Sequence, residues 1–404
     1  MCYLLERGEQ ELSILRPLGI PALEYRDRLA GLRKAMSESK LDMMILFGDE
    51  HRQGDVRYVS GYRPMLEFSA VIIPQSDDPI LLCGPECLTL AQQTSIIEDV
   101  RICADLQIPG EEYPNIDMVS FRSIMASLNK KSKIVRLGIP HLALVPSFLR
   151  ESLGRALDDV EIIDAKAALD QLRAVKSPNE LAIMRRNYEI ANAAMLAGVQ
   201  YATPGLRETD VAAEMAAYMW RRGPEQVSHV MMVASGLKTQ AALSFPSDKK
   251  KLCEGELVIL GLGVVYEGYF SDHSTTVFLG DPPPEIARAM RVCWEAKEAA
   301  IEAVRPGVEG CVVDRAARDI VEKAGFGPNC SYGVGHGVGL QHVEYPMLGP
   351  TTPVELRPGM VFAIDVGLWD LPYGGIRFED GILVTETGVE RLTVAGPTKL
   401  CKGI

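Results

Sequence analysis

The chain contains no apolar run near the roughly 18 residues that a membrane-spanning helix needs. It also lacks a basic surplus: 42 Lys and Arg stand against 54 Asp and Glu, a formal net charge of −12. Membranes and nucleic acid are therefore not expected as partners, since both call for a basic or apolar surface. No segment is of low complexity. Cysteine neither clusters nor pairs. The nine residues, at 2, 83, 87, 103, 253, 293, 311, 330 and 401, are an odd and scattered set, expected as reduced thiols. Cys83 and Cys87 have no second pair behind them and make no zinc signature. The start, "MCYLLERGEQELSILRPL", places Glu6, Arg7 and Glu9 where a secretory leader needs an unbroken apolar core, so an unprocessed, cytoplasmic protein is expected.

What is present is ordinary globular material in quantity: 404 residues, 47% hydrophobic and 24% charged. That length suits two domains. In residues 1–165, the runs "MMILFG", "SAVIIP", "PILLCG", "VRICAD" and "IVRLGI" read as buried strands. With the helical spacing of "ALEYRDRLAGLRKAM" and "MVSFRSIMASL", they predict an α/β domain with a mixed sheet. Residues 166–177 read as a linker that includes the helical stretch "AALDQLRAV". Ser177, Pro178 and Glu180 then form a capping box that starts a second domain, 178–404. This half runs helix, helix, sheet, helix, helix, sheet, and predicts an α+β domain around a central antiparallel sheet.

Four polar residues sit in apolar or glycine-rich settings. Asp272 ends "ILGLGVVYEGYFSD", His336 lies in "GVGHGVG", Asp365 interrupts "MVFAIDVG", and Glu379 interrupts "GIRFEDGIL". Two hairpins, turning at Tyr266-Glu267 and at Leu371-Pro372-Tyr373, would bring positions 261 and 272, and 365 and 379, opposite one another. One imidazole and three carboxylates on a common face make a plausible shell for a first-row divalent ion. His273 alternates to the opposite strand face from Asp272 and reads as structural. His51 and His141 have no evident partner.

The stretches "GELVILGLGVVYEGYFSDHSTTVFLG", "GVGHGVGLQHVEYP", "LRPGMVFAIDVG" and "GIRFEDGILVTETG" resemble, in order, the pita-bread superfamily of methionine aminopeptidase, aminopeptidase P, prolidase and creatinase. The whole chain is similar to its two-domain members. The resemblance implies a creatinase-like N-terminal domain, a pita-bread catalytic domain and a homodimer. It also implies five metal ligands for two ions, and here this chain departs. The first aspartate falls on Gly261. The others fall on Asp272, His336, Asp365 (a shorter carboxylate in place of Glu) and Glu379. A substrate-facing histidine expected near "AALSFP" is missing, with His229 a candidate replacement. A second histidine falls on Val343, next to His342, whose direction is open. Glu344, Pro346 and Arg377 fit the family's pattern.

The expected protein is a non-canonical hydrolase that cleaves a C–N bond in a small nitrogenous compound, with a cationic one favoured by the acidic cluster. Two arrangements stay open: one divalent ion (Mn, Fe, Co or Zn) on Asp272, His336, Asp365 and Glu379, or a metal-free acid/base site. Glu344 is the candidate general base, with His342, Glu379 and Arg377 beside it. A lyase, an X-Pro dipeptidase-like peptidase and an inactive binding protein are the alternatives. The resemblance to creatinase further implies that the tip "SGYRPMLEFSA", after a strand starting at Tyr58, reaches the partner chain's pocket and offers Tyr62, Arg63 and Glu67 to substrate.

Overall fold

The computed structural model describes residues 19–157, 159–228 and 231–393. The chain divides into two compact units, Met1–Arg173 and Ala174–Ile404. The division falls within 166–177, where the helix Lys166–Ala174 stands.

The first unit holds β1 (Met43–Gly48), β2 (Ser69–Pro74), β3 (Ile80–Cys83), β4 (Val100–Ile102), β5 (Arg136–Ile139) and β6 (Glu161–Asp164). Their order is β4-β3-β2-β1-β5-β6. β2 runs antiparallel to β1 and β3, while the other neighbours are parallel, so the sheet is mixed. β1, β2 and β3 are buried almost throughout, which is why they read as unbroken apolar runs. Phe121 and Ile124 of the helix Phe121–Lys131, with Leu149 and Leu153 of the helix Ser147–Ala156, pack in one core with Ile45, Ile72 and Leu82.

One expectation here is corrected. Tyr58 does not start a strand; it belongs to the buried helix Gly54–Ser60, which Gly61 ends in the left-handed region at φ 72°. The Arg28 guanidinium lies over the Tyr58 ring at 4.5 Å and donates to the Tyr58 carbonyl at 3.0 Å. Those long-range contacts hold a short helix that its own seven residues could not sustain.

His141 also has partners that spacing alone did not reveal. Its Nδ1 lies 2.9 Å from Asp55 Oδ2 and its Nε2 3.1 Å from Asp170 Oδ1. Arg173 in turn donates to Asp55 Oδ1. The hydrogen bonds to Asp170 and Asp55 outweigh burial and push the His141 pKa up to about 10. The folded value therefore lies above the unfolded one. The stabilisation is complete below about pH 6.5 and is lost as pH rises toward 10. Urea unfolding of wild type and His141→Gln should differ clearly at pH 6, and the gap should close by pH 10.5. A gap that does not change with pH would remove the imidazolium from this account.

The second unit contains β7 (Gln226–Val227), β8 (Met232–Ser235), β9 (Leu257–Leu262), β10 (Val264–Tyr266), β11 (Tyr269–Phe270), β12 (His273–Phe278), β13 (Gly335–Gly337), β14 (Glu344–Leu348), β15 (Val361–Leu371), β16 (Gly374–Val384) and β17 (Val389–Arg391). The large sheet runs β14-β13-β15-β16-β12-β9-β8, with β17 on β16. Its neighbouring strands pair antiparallel throughout. A separate sheet has the order β11-β10-β7. The capping box forms as expected: Ser177 Oγ accepts from Glu180 N at 3.1 Å, and Glu180 Oε2 accepts from Ser177 N at 2.8 Å. It opens the helix Pro178–Tyr201, followed by the helix Glu208–Trp220. The helices Pro284–Ala303 and Gly310–Lys323 come later in the chain. Met290, Cys293 and Ala296 pack in one core with Ile364, Val366, Ile376 and Phe378. Strand alternation therefore sends Asp365, Arg377 and Glu379 to the other face.

Candidate active site

The β15–β16 hairpin puts Asp365 directly opposite Glu379, as the sequence suggests. Glu379 pairs onward with Ser274, Ser274 with Gly261, and Gly261 with Met232. These five residues form one row across one sheet face: two carboxylates, a hydroxyl, a bare backbone and a thioether. Gly261 thus faces Ser274 rather than Asp272, a correction of two residues. The first hairpin is not continuous. β9 ends at Leu262, and β10 belongs to the small sheet. Asp272 still shares the face of Ser274, two residues on.

The next row brings in the histidine. His336 pairs with Ala363, two residues before Asp365. Ligand atoms of Asp272, His336 and Glu379 all lie within 4.8 Å of one another. His336 Nε2 is 3.7 Å from Asp272 Oδ2. Glu379 Oε2 accepts from Ser274 Oγ at 2.5 Å and meets Arg377 Nη2 at 3.1 Å. Its other oxygen, Oε1, is buried and has no hydrogen-bond partner among the described residues. An open carboxylate oxygen, a second carboxylate and an imidazole fit a divalent ion in number and donor type. Burial pushes the Glu379 carboxyl well above the usual range; Arg377 opposes this, while Asp272 and Asp365 add to it.

Asp365 stands apart from that group. Arg377 Nε donates to its Oδ1 at 3.0 Å and Nη2 to its Oδ2 at 2.9 Å, and Tyr332 OH donates to Oδ1 at 3.3 Å. The fourth expected ligand is thus held on both oxygens by a guanidinium fork. Glu344 is likewise engaged elsewhere: Lys176 Nζ donates to its Oε1 at 2.8 Å, and both side chains are buried.

His342 does turn inward. Its Nε2 hydrogen-bonds Asp272 Oδ2, and its ring meets His336 edge-on at 5.8 Å. Burial disfavours its charged form, but the charge and hydrogen bond of Asp272 prevail and raise its pKa. Ser274 was missed, although alternation from Asp272 points to it. Tyr332 had no sequence signal. His273 lies on the opposite face, buried, with Nε2 4.0 Å from Asp380 Oδ1. His229 lies outside the described residues.

The tip residues do not form an exposed charged surface. Tyr62 and Glu67 are fully buried and Arg63 is half-buried, while Met65 and Leu66 are exposed. Glu67 Oε2 accepts from the backbone N–H of Glu86 at 3.0 Å and of Cys87 at 3.2 Å. Enclosed in its own unit, Glu67 lacks the exposure that contact with a substrate in another chain requires.

Helices on one sheet face and an imidazole–carboxylate cluster on the other match a hydrolase of pita-bread type. The chain belongs to metallopeptidase family M24, whose model matches residues 182–386, and residues 28–175 match the creatinase/prolidase N-terminal domain. It is thereby a hydrolase of the two-domain creatinase/prolidase superfamily. An Xaa-Pro dipeptidase of Pyrococcus horikoshii is 31% identical over 296 residues, 72% of this chain and 84% of the relative. An uncharacterized Bacillus subtilis peptidase, YqhT, is 32% identical over 242 residues, 60% of this chain and 68% of the relative. The crystal structure of a prolidase from Pyrococcus horikoshii OT3 superposes with a TM-score of 0.80 at 27% identity, covering 92% of this chain and 99% of that one.

Two results should follow. Titration with Mn or Co should give one ion per chain, and Asp272→Ala, His336→Ala and Glu379→Ala should each weaken it by at least about 100-fold, since outer-shell partners alone account for 10–100-fold. Two tight ions in wild type would refute the gapped row. Glu67→Ala should cost about 1–3 kcal/mol of stability by stripping buried N–H groups of their acceptor, with metal content unchanged; unaltered chemical denaturation would contradict the buried role.

Proposed function

We propose that this chain hydrolyses a C–N bond in a small nitrogenous compound of dipeptide size, using one divalent ion. The observation that supports this best is the open, buried Oε1 of Glu379 beside Asp272 and His336, in a row that has no ligand at Gly261. Such an ion supplies Lewis-acid polarisation of the scissile carbonyl. The chain's own residues do the rest. Asp272 orients His342, which takes a proton from the attacking water as the C–O bond forms and gives it to the leaving nitrogen as the C–N bond breaks. Ser274 and Arg377 fix Glu379 Oε2, so that its other oxygen faces the group. With one divalent ion and the Arg377 guanidinium the three carboxylates are matched in charge, so the assay includes neutral as well as cationic amides. A cytoplasmic homodimer belongs to this reading, supported by the likeness to two-domain superfamily members.

A second reading, Xaa-Pro dipeptidase, is favoured by the relatives' names, two of which are Xaa-Pro dipeptidases. Assay of Xaa-Pro dipeptides, other dipeptides, N-acyl amines and amidines in Mn or Co separates the two. Efficient, selective Xaa-Pro cleavage decides for the second. An alkene product would indicate a lyase, and binding without turnover an inactive relative. On whichever substrate is turned over, His342→Ala should lower kcat by about 10²–10⁴ while the ion is retained. Full kcat in that variant would remove His342 from proton transfer.

A further inference from the structure

We propose that Tyr188 is a positioning residue of the candidate site: a phenol brought in by a helix and seated over a bare strand position, where it holds Asp272 in place for the ion. The proposal rests on the single-ion reading and adds the group that aligns one of its ligands. Tyr188 belongs to the helix Pro178–Tyr201 and is fully buried. The Asp272 backbone N–H donates to its hydroxyl oxygen in a long bond of 3.4 Å. The ladder of β12 begins one residue later, with His273 opposite Leu262. A buried N–H just outside a ladder needs an acceptor from elsewhere, and the phenol provides one.

The strand beside Asp272 leaves room for the ring. Gly381 stands in the row of His336: His336 pairs with Ala363, and Ala363 with Gly381. Ser274 pairs antiparallel with Glu379, so Asp272, two residues before the one, comes level with Gly381, two residues after the other. A Cβ at Gly381 would lie 2.2 Å from two ring carbons of Tyr188 and 2.4 Å from its oxygen. The hydroxyl thus occupies the space that a side chain of the strand would fill, on the face that carries Asp272 and Glu379.

The same helix is fastened to the segment that ends in Asp272. Asn187 Nδ2 donates to the carbonyls of Val264 at 3.0 Å and Tyr269 at 2.6 Å, and Ser271 Oγ donates to Asn187 Oδ1 at 3.1 Å. Tyr269 OH donates to Glu180 Oε1 at 2.8 Å. Glu180, Asn187 and Tyr188 therefore grip residues 264–272, the stretch over which the chain leaves the large sheet between β9 and β12. What the ladder does for Ser274, the helix does for Asp272. Burial raises the Tyr188 pKa, and the charge of Asp272, then of Glu379, raises it further, so the hydroxyl remains a neutral dipole. A neutral group can orient a ligand without competing with the ion for it.

The test compares the full wild-type chain with Tyr188→Phe, which keeps the ring over Gly381 and removes only the hydroxyl. In ion-free protein, residue-resolved amide hydrogen exchange should quicken at Asp272 by at least about tenfold while Thr275 and Thr276, inside the ladder, stay as they are. Calorimetric titration should show Mn bound about 10–100-fold more weakly, and the visible spectrum of the Co-loaded chain should change, which a role confined to packing would not cause. Unchanged exchange at Asp272 overturns the proposal, and so do an unchanged Mn isotherm and Co spectrum. A second pair moves the hydroxyl to the strand: Tyr188→Ala with Gly381→Ser should bind Mn at least about tenfold more tightly than Tyr188→Ala with Gly381→Ala, and equal binding by the two counts against the hydroxyl. A wild type that binds no ion would defeat the single-ion reading, and the exchange measurement then decides by itself whether Tyr188 holds Asp272.

Discussion

The strict alternation of the long β15–β16 hairpin governs both the core and the site. On one face Phe362, Ile364, Val366, Ile376, Phe378 and Ile382 join the helices in the main core. On the other, Asp365, Arg377 and Glu379 meet with no freedom of register, because a one-residue slip would send every carboxylate into that core. The apolar face thus fixes the chemistry of the polar one. Neighbouring strands inherit the alignment: Ser274 and Gly261 fall into line through β12 and β9. His336 is aligned one row away through β13.

The same hairpin carries a second buried acid, and the contrast is informative. Asp380 lies on the helix-facing side and is surrounded by Lys297, Arg391 and Thr393. Burial works against its charge, but Lys297 leads the groups that lower its pKa. That acid is fully neutralised by the chain and has no chemical work left. Glu379, one residue earlier, keeps an oxygen unsatisfied, and its pKa moves the opposite way. Adjacent acids on opposite faces therefore separate a structural charge cluster from one that awaits a ligand.

Much of this was legible in the sequence, for physical reasons. Glu379 and Asp365 were found because a charge inside an apolar strand breaks a period-two pattern. Their pairing followed from a turn with few possible registers. The capping box at Ser177 was local chemistry and needed nothing distant. The errors have one cause. The Gly261 register required knowing that the strand breaks at Gly263, where a side chain would run into Ser228 and the Ser271 carbonyl. Glu67 looked like a turn charge because the two backbone N–H groups that donate to it lie about twenty residues on. His141 looked solitary for the same reason, since Asp55 and Asp170 are far from it in sequence. Tyr58 was drawn into a helix by Arg28, thirty residues earlier.

Asp365 shows the limit most clearly. Residue type placed it among metal ligands, and its strand position agreed. Both acids lie within reach of Arg377, and what separates them is that its fork closes on both oxygens of Asp365, twelve residues away and one strand over, but meets only one of Glu379. A guanidinium presents a planar fork to a carboxylate, so when both oxygens are engaged at about 3 Å the pair is geometrically complete. Glu379 is not complete in this sense, because only one of its oxygens is used. The distinction between the two acids is thus set by donor geometry, and it requires no difference in backbone placement: they face each other across the same two strands.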